Sequence, residues 1–247
     1  MRSSRLLVLA ATGLAAGLAM VAYALVGGPQ PPPQPSATGL SAVTAVPQAP
    51  SLQQRRLLGF SRPVRVELPR LGIRAAVRPV GVHRDGTVQV PRLSRAAEAG
   101  WYAGSAAPGQ AGPTVILGHV DSARLPRGEA AFYSLGRARR GDRVTVTRED
   151  GVVVRFTVDA AVLVAKTRFP TRAVYGPTKA PALRLITCGG RYTKSGGYRG
   201  NIIVFAHPDF PLRPATRADH HKPAQAAGRP CHEVPDRRRG PDCVDRH

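Results

Sequence analysis

The chain has 247 residues, a formal net charge of +21, 43% hydrophobic residues and three cysteines. That length accommodates one domain of ordinary size with extensions, or two small domains, and the apolar share supplies a single real core. The charge is mostly arginine, spread along the whole chain, with no RNP-like aromatic strand, helix-turn-helix signature or paired Cys/His finger. Nucleic-acid recognition is therefore set aside in favour of attraction to an anionic membrane or wall surface.

The first element is apolar. Residues 6–26 form 21 uncharged positions behind Arg2 and Arg5, enough for a helix of about 30 Å that spans a bilayer. Ala22-Tyr23-Ala24 leaves a cleaved signal peptide as the alternative. With the arginines in front of the span, residues 1–27 read as a cytoplasmic tip and single-pass anchor in the cell membrane, and everything after them as extracellular. Residues 28–59 are rich in Pro, Ser and Thr, and predict a stiff extracellular linker without a core of its own.

From residue 60 the texture changes to short β-type runs at 64–68, 75–82, 114–117, 143–147, 152–164, 183–187 and 202–205, separated by Gly and Pro. Such runs predict an all-β sandwich or closed barrel. Asp85-Gly86 and Asp150-Gly151 each mark a strand-turn-strand unit. Short helices are expected only at 94–99 and 130–135. The domain, 60–208, ends near His207-Pro208, and the basic tail 209–247 lacks hydrophobic anchors and reads as disordered.

Three residues in the domain carry the chemistry. His119 follows the apolar run Thr114-Val115-Ile116-Leu117-Gly118. Cys188 follows Leu183-Arg184-Leu185-Ile186-Thr187 and precedes Gly189-Gly190. Arg199 stands just before the strand 201–205. A thiolate is the attacking form of cysteine, an imidazole can shuttle its proton, and an arginine supplies permanent donors for an oxyanion or a substrate carbonyl. Taken singly, each residue has an ordinary reading: an inert buried thiol, a structural imidazole, and one arginine among many. Asp121 is a possible orienter of His119 but, two residues away, is better placed to cap a turn. Thr187 reads either as a substrate contact or as a β-branched strand residue.

Leu185-Ile186-Thr187-Cys188 with Arg199 behind it, and Gly118-His119-Val120-Asp121-Ser122 upstream, resemble the catalytic motifs of sortases, most closely the actinobacterial class F and class E enzymes. Pro63-Val64-Arg65-Val66-Glu67-Leu68-Pro69, Leu71-Gly72-Ile73, Gly100-Trp101-Tyr102, Phe169-Pro170 and Val174-Tyr175-Gly176 extend the likeness over residues 62–206. The resemblance implies a closed eight-stranded β-barrel with short helices. It also implies a cysteine transpeptidase in which Cys188 attacks the threonyl carbonyl of an LPXTG-like sorting signal on a secreted protein. A peptidoglycan-precursor amine would resolve the thioester, His119 would be the general acid/base, and Arg199 would position substrate and oxyanion. Peptide hydrolase activity is the expected side reaction.

No cofactor and no metal are expected. His220, His221, Cys231, His232, Cys243 and His247 in the tail lack the close pairs of a zinc site, although Cys231 and Cys243 could pair with one another. Two other readings stay open: a Cys-His peptidase resolved by water, and a non-catalytic, membrane-tethered wall-binding module.

Overall fold

Alternation of buried and exposed side chains explains the outer strands of the domain. In the strand Ile73–Val80, the residues Ile73, Ala75 and Val77 point inward while Arg74, Ala76 and Arg78 face solvent; Arg143–Arg148 repeats the pattern with Val144 and Val146. The run Gly112–Gly118 is buried at every position, as a strand covered on both faces must be. The computed structural model describes residues 31–38 and 57–209. The expected anchor, most of the linker and all of the tail beyond Asp209 lie outside the described residues. Among the described residues no helix is long and apolar enough to cross a membrane.

The strands in chain order are β1 (Ala37–Thr38), β2 (Pro63–Leu68), β3 (Ile73–Val80), β4 (Ala99–Tyr102), β5 (Gly112–Gly118), β6 (Arg143–Arg148), β7 (Val153–Ala165), β8 (Pro181–Thr193) and β9 (Gly197–Pro208). Strands β2 to β9 pair in the cyclic order β2-β3-β4-β5-β8-β9-β7-β6, and β6 returns to β2. This is the closed eight-stranded barrel that the sequence motifs imply, and closure satisfies the edges that an open sheet would expose. The pairs β3–β4 and β5–β8 are parallel. Outside the ring, β1 runs parallel to β7, with Ala37 opposite Val162 and Thr38 opposite Leu163.

Two apolar layers result. The barrel interior holds Trp101, Phe132, Phe156, Leu68, Leu135, Leu183 and Leu185. On the outer face of β5, β7, β8 and β9, Val115, Leu117, Val162, Ile186, Ile203 and Phe205 form a second layer, covered by Val174 of a five-residue helix, α1 (Thr171–Tyr175). Burying a side chain of this size contributes about 1.5–3 kcal/mol, so the second layer is a substantial reason for α1 to stay in place. Arg184 adds a polar tie: its guanidinium lies 4.7 Å from the Phe205 ring centre and donates to the Ala173 carbonyl of α1.

Three local expectations are corrected. β8 and β9 run well past the predicted 183–187 and 202–205, so Cys188 and Arg199 sit within strands rather than at their ends. The apolar signal stops at Thr187, yet backbone pairing continues through Gly189 opposite Gly200. The helices expected at 94–99 and 130–135 reduce to single 3-10 turns, Leu93–Arg95 and Tyr133–Arg137, because each segment is too short to nucleate a full helix. α1 was not anticipated, since with one buried side chain it has no periodicity to read.

Candidate active site

Strand register brings the candidate residues to one face. In the parallel β5–β8 pair Leu117 lies opposite Ile186; extended two residues past this last pair, the same register sets His119 level with Cys188. Side chains alternate, so His119 shares the face of Val115 and Leu117, and Cys188 shares that of Arg184 and Ile186. In antiparallel β9, Asn201 faces Cys188, and Arg199 continues the parity of Ile203 and Phe205. All three residues therefore project to the outer side of the barrel, beyond the second apolar layer.

Thr187 points the other way. It is only 3% exposed, and its hydroxyl donates to the Gly118 carbonyl at 2.8 Å. That bond joins the residue before Cys188 to the residue before His119 and fixes the two strands in register at the site. The donor of the Thr187 hydroxyl is thus committed to the scaffold. The side-chain amide of Asn201 donates to the Thr187 carbonyl at 3.3 Å and holds the third strand to the same point.

Cys188 is half-buried, and burial pushes its thiol pKa up; the Asp121 carboxylate pushes the same way and the Lys166 ammonium opposes both. Cys188 therefore rests as the protonated thiol, and a thiol needs a base before it can attack. His119 Nε2 lies 2.6 Å from the Pro91 carbonyl oxygen. A carbonyl only accepts, so Nε2 carries a hydrogen and Nδ1 is the nitrogen left to exchange a proton. Pro91 has the second-partner role once considered for Asp121: it fixes the tautomer and the orientation of the imidazole.

Asp121 instead accepts a hydrogen bond from the Tyr198 hydroxyl. Burial and this carboxylate hold the Tyr198 phenol far above its ordinary pKa, so it remains a donor throughout the working range. Because β8 lies between β5 and β9, the bond crosses β8 next to Cys188 and clasps the His119 segment to the strand of Arg199. The opposed charges give a signed prediction. Asp121→Asn should move the pH midpoint for alkylation of Cys188 down, and Lys166→Gln should move it up. Shifts in the same direction, measured by mass spectrometry across a pH series, would show that these side chains do not act on the thiol through charge.

Arg199 is exposed and makes no ion pair among the described residues, which leaves its guanidinium free for a substrate. Partly buried Val80, Val88, Tyr102, Phe169 and Tyr175 pack against the second layer and give the face an apolar lining. A cavity of about 570 Å³ lined by Leu57, Leu58, Gln110, Pro113 and Tyr175 lies at the start of β5, the end away from His119, and does not contain the trio. Among the described residues no group of three His, Cys, Asp or Glu side chains could hold a metal ion.

The family model for the sortase domain matches residues 66–209, which include His119, Cys188 and Arg199. The chain belongs to the sortase family. Among solved structures, this sortase is similar to the lid mutant of sortase A from Corynebacterium diphtheriae, with 21% identity over 61% of this chain and 72% of that one, and a TM-score of 0.47. It is also similar to sortase C1 of Streptococcus agalactiae (18%, 64% and 70%, TM-score 0.46) and to sortase C1 of Streptococcus suis (18%, 65% and 77%, TM-score 0.45). No curated protein matches the sequence. Sequence reading had not identified Pro91, Lys166, Tyr198 or Asn201. They lie 10 to 97 positions from Cys188 in the chain, without any motif of their own; the β8–β9 pairing brings Tyr198 and Asn201 to the site, and the wider barrel brings the others.

Proposed function

We propose that this protein is a class F or class E sortase, a membrane-anchored extracellular cysteine transpeptidase. It would cleave an LPXTG-like sorting signal of a secreted protein and pass the acyl group to a peptidoglycan-precursor amine. The observation that carries the reading is the strand register that sets His119, just past the end of β5, beside Cys188 of β8 and Arg199 of β9 on one outward face.

The chemistry follows from these positions. His119 takes the proton of the Cys188 thiol as sulfur attacks the threonyl carbonyl, and the Arg199 guanidinium stabilises the oxyanion. As the tetrahedral intermediate collapses, the C–N bond to glycine breaks and His119 protonates the leaving amine, which leaves a thioester. The incoming amine attacks the thioester, gives its proton to His119 and releases the thiol. The apolar residues Val80, Val88 and Phe169 packed on the outer apolar layer suit the leucine and proline of such a signal.

The test incubates the full chain in detergent with an LPXTG peptide and a panel of amines. A mass adduct on Cys188 together with amine-dependent product is expected. Hydrolysis that no amine diverts would identify a peptidase, and the absence of any adduct on Cys188 would remove both enzyme readings in favour of a wall-binding module.

A further inference from the structure

Residues 31–38 fall in the stretch whose composition reads as a spacer, and they lie outside the 66–209 of the family match, yet they pack against the barrel beside the nucleophile. Three contacts hold them. Ala37 and Thr38 pair with Val162 and Leu163 of β7. The Pro33 carbonyl passes so close to Gly136 that a Cβ there would sit 1.9 Å from its oxygen. The Gln34 side chain accepts a hydrogen bond from the Gly190 N–H at 2.7 Å while its own amide nitrogen donates to the Pro32 carbonyl at 2.9 Å. With a donor on one side and an acceptor on the other, only one orientation of that carboxamide fits. Prolines at 31, 32, 33 and 35 pre-set the backbone and lower the entropy lost on docking.

The Gly190 bond falls at an informative place. Register in the β8–β9 hairpin runs from Gly189 opposite Gly200 to Tyr192 opposite Tyr198, so Gly190 and Arg191 together face the single residue Arg199. That is a bulge of one extra residue, with Gly190 in the left-handed region at φ 78°, and bulges re-aim the side chains around them. Cys188 stands two residues before it and Arg199 directly across from it. Gly189 leaves no alternative filling, because a Cβ there would lie 2.6 Å from Ile202 Cγ1 and 3.1 Å from Gln34 Oε1.

We propose that the 31–38 arm is part of the catalytic unit and that Gln34 is a positioning residue, holding the Gly190 bulge so that Cys188 and Arg199 keep their mutual placement. The proposal rests on Cys188 being the nucleophile. Gln34 touches no reacting atom; it acts by bonding a backbone donor that the bulge has displaced from the ladder.

The experiment compares Gln34→Ala, Gln34→Glu, Gly136→Ala and the Gln34→Ala/Gly136→Ala double variant in the full chain in detergent. The added methyl of Gly136→Ala meets Pro33 and Gln34 as its three nearest atoms, so it loosens the arm without altering Gln34. Gln34→Ala should lower kcat for a sorting peptide by about 3- to 10-fold, the range set by one lost hydrogen bond, with KM nearly unchanged. Gly136→Ala should do the same, and the double variant should be no slower than the slower single one. Gln34→Glu, which keeps the acceptor for the Gly190 N–H but sets a carboxylate oxygen against the Pro32 carbonyl, should fall between the parent and Gln34→Ala. In the same variants, alkylation of the half-buried Cys188 by a neutral reagent should speed up, a readout that survives if no sorting peptide is cleaved. An unchanged kcat and alkylation rate in Gln34→Ala, effects of the two substitutions that multiply, or a Gln34→Glu as impaired as Gln34→Ala would each overturn the proposal. So would a fall in Tm without a change in either rate, which is what a purely structural arm would show.

Discussion

Cys188→Ala should abolish the acyl-enzyme and lower kcat/KM for a sorting peptide by roughly 10⁴-fold or more, and His119→Ala should come within about tenfold of that loss. The double variant should be scarcely worse than Cys188→Ala alone. The reason is the resting state of the site: burial and Asp121 keep the Cys188 thiol protonated, so without a base the sulfur is present but is not the attacking species. Steady-state rates on all three variants, beside a thermal unfolding curve for each, test this. Losses that multiply would mean that sulfur and imidazole work independently. His119→Ala should also change the shape of the alkylation profile of Cys188, because Nδ1 is the nitrogen left free to take its proton once Nε2 is bonded to Pro91.

How much of this was visible in the chain depends on what each feature is made of. The all-β character was legible because β3 and β6 alternate with period two and β5 is a continuous apolar run, whereas closure into an eight-stranded barrel was implied by the resemblance of the motifs. Cys188, His119 and Arg199 stand beside apolar runs, but taken singly each has an ordinary reading, and it is the resemblance of the surrounding motifs that singles them out. What the sequence hid are features defined by pairing. The extension of β8 through Gly189 and Gly190 has no apolar pattern, and its bulge exists only relative to β9. The partners of His119 and Asp121 are Pro91 and Tyr198, distant in the chain, so no short spacing marks them. Gln34 was hidden for another reason: a Pro-rich segment carries the same composition whether it spans open solvent or lies against a barrel wall.

Arg199 offers the sharpest separation of roles. Its guanidinium is exposed and unpaired among the described residues, so its removal leaves no buried partner stranded and should leave folding almost unchanged. Catalysis should suffer instead: Arg199→Ala should cost roughly 10²- to 10³-fold in kcat, the usual loss for one oxyanion donor. Arg199→Lys should recover only part of it, since an ammonium supplies charge but not the planar fork. Full recovery in lysine would assign the role to charge alone, and near-parent activity in alanine would move oxyanion stabilisation to other donors. The pH dependence distinguishes this residue from its neighbour. An arginine does not titrate in the working range, so the Arg199 variants should show the parent profile at a lower level, whereas loss of His119 should change its shape. The two substitutions thus separate proton transfer from charge stabilisation on one face of the barrel.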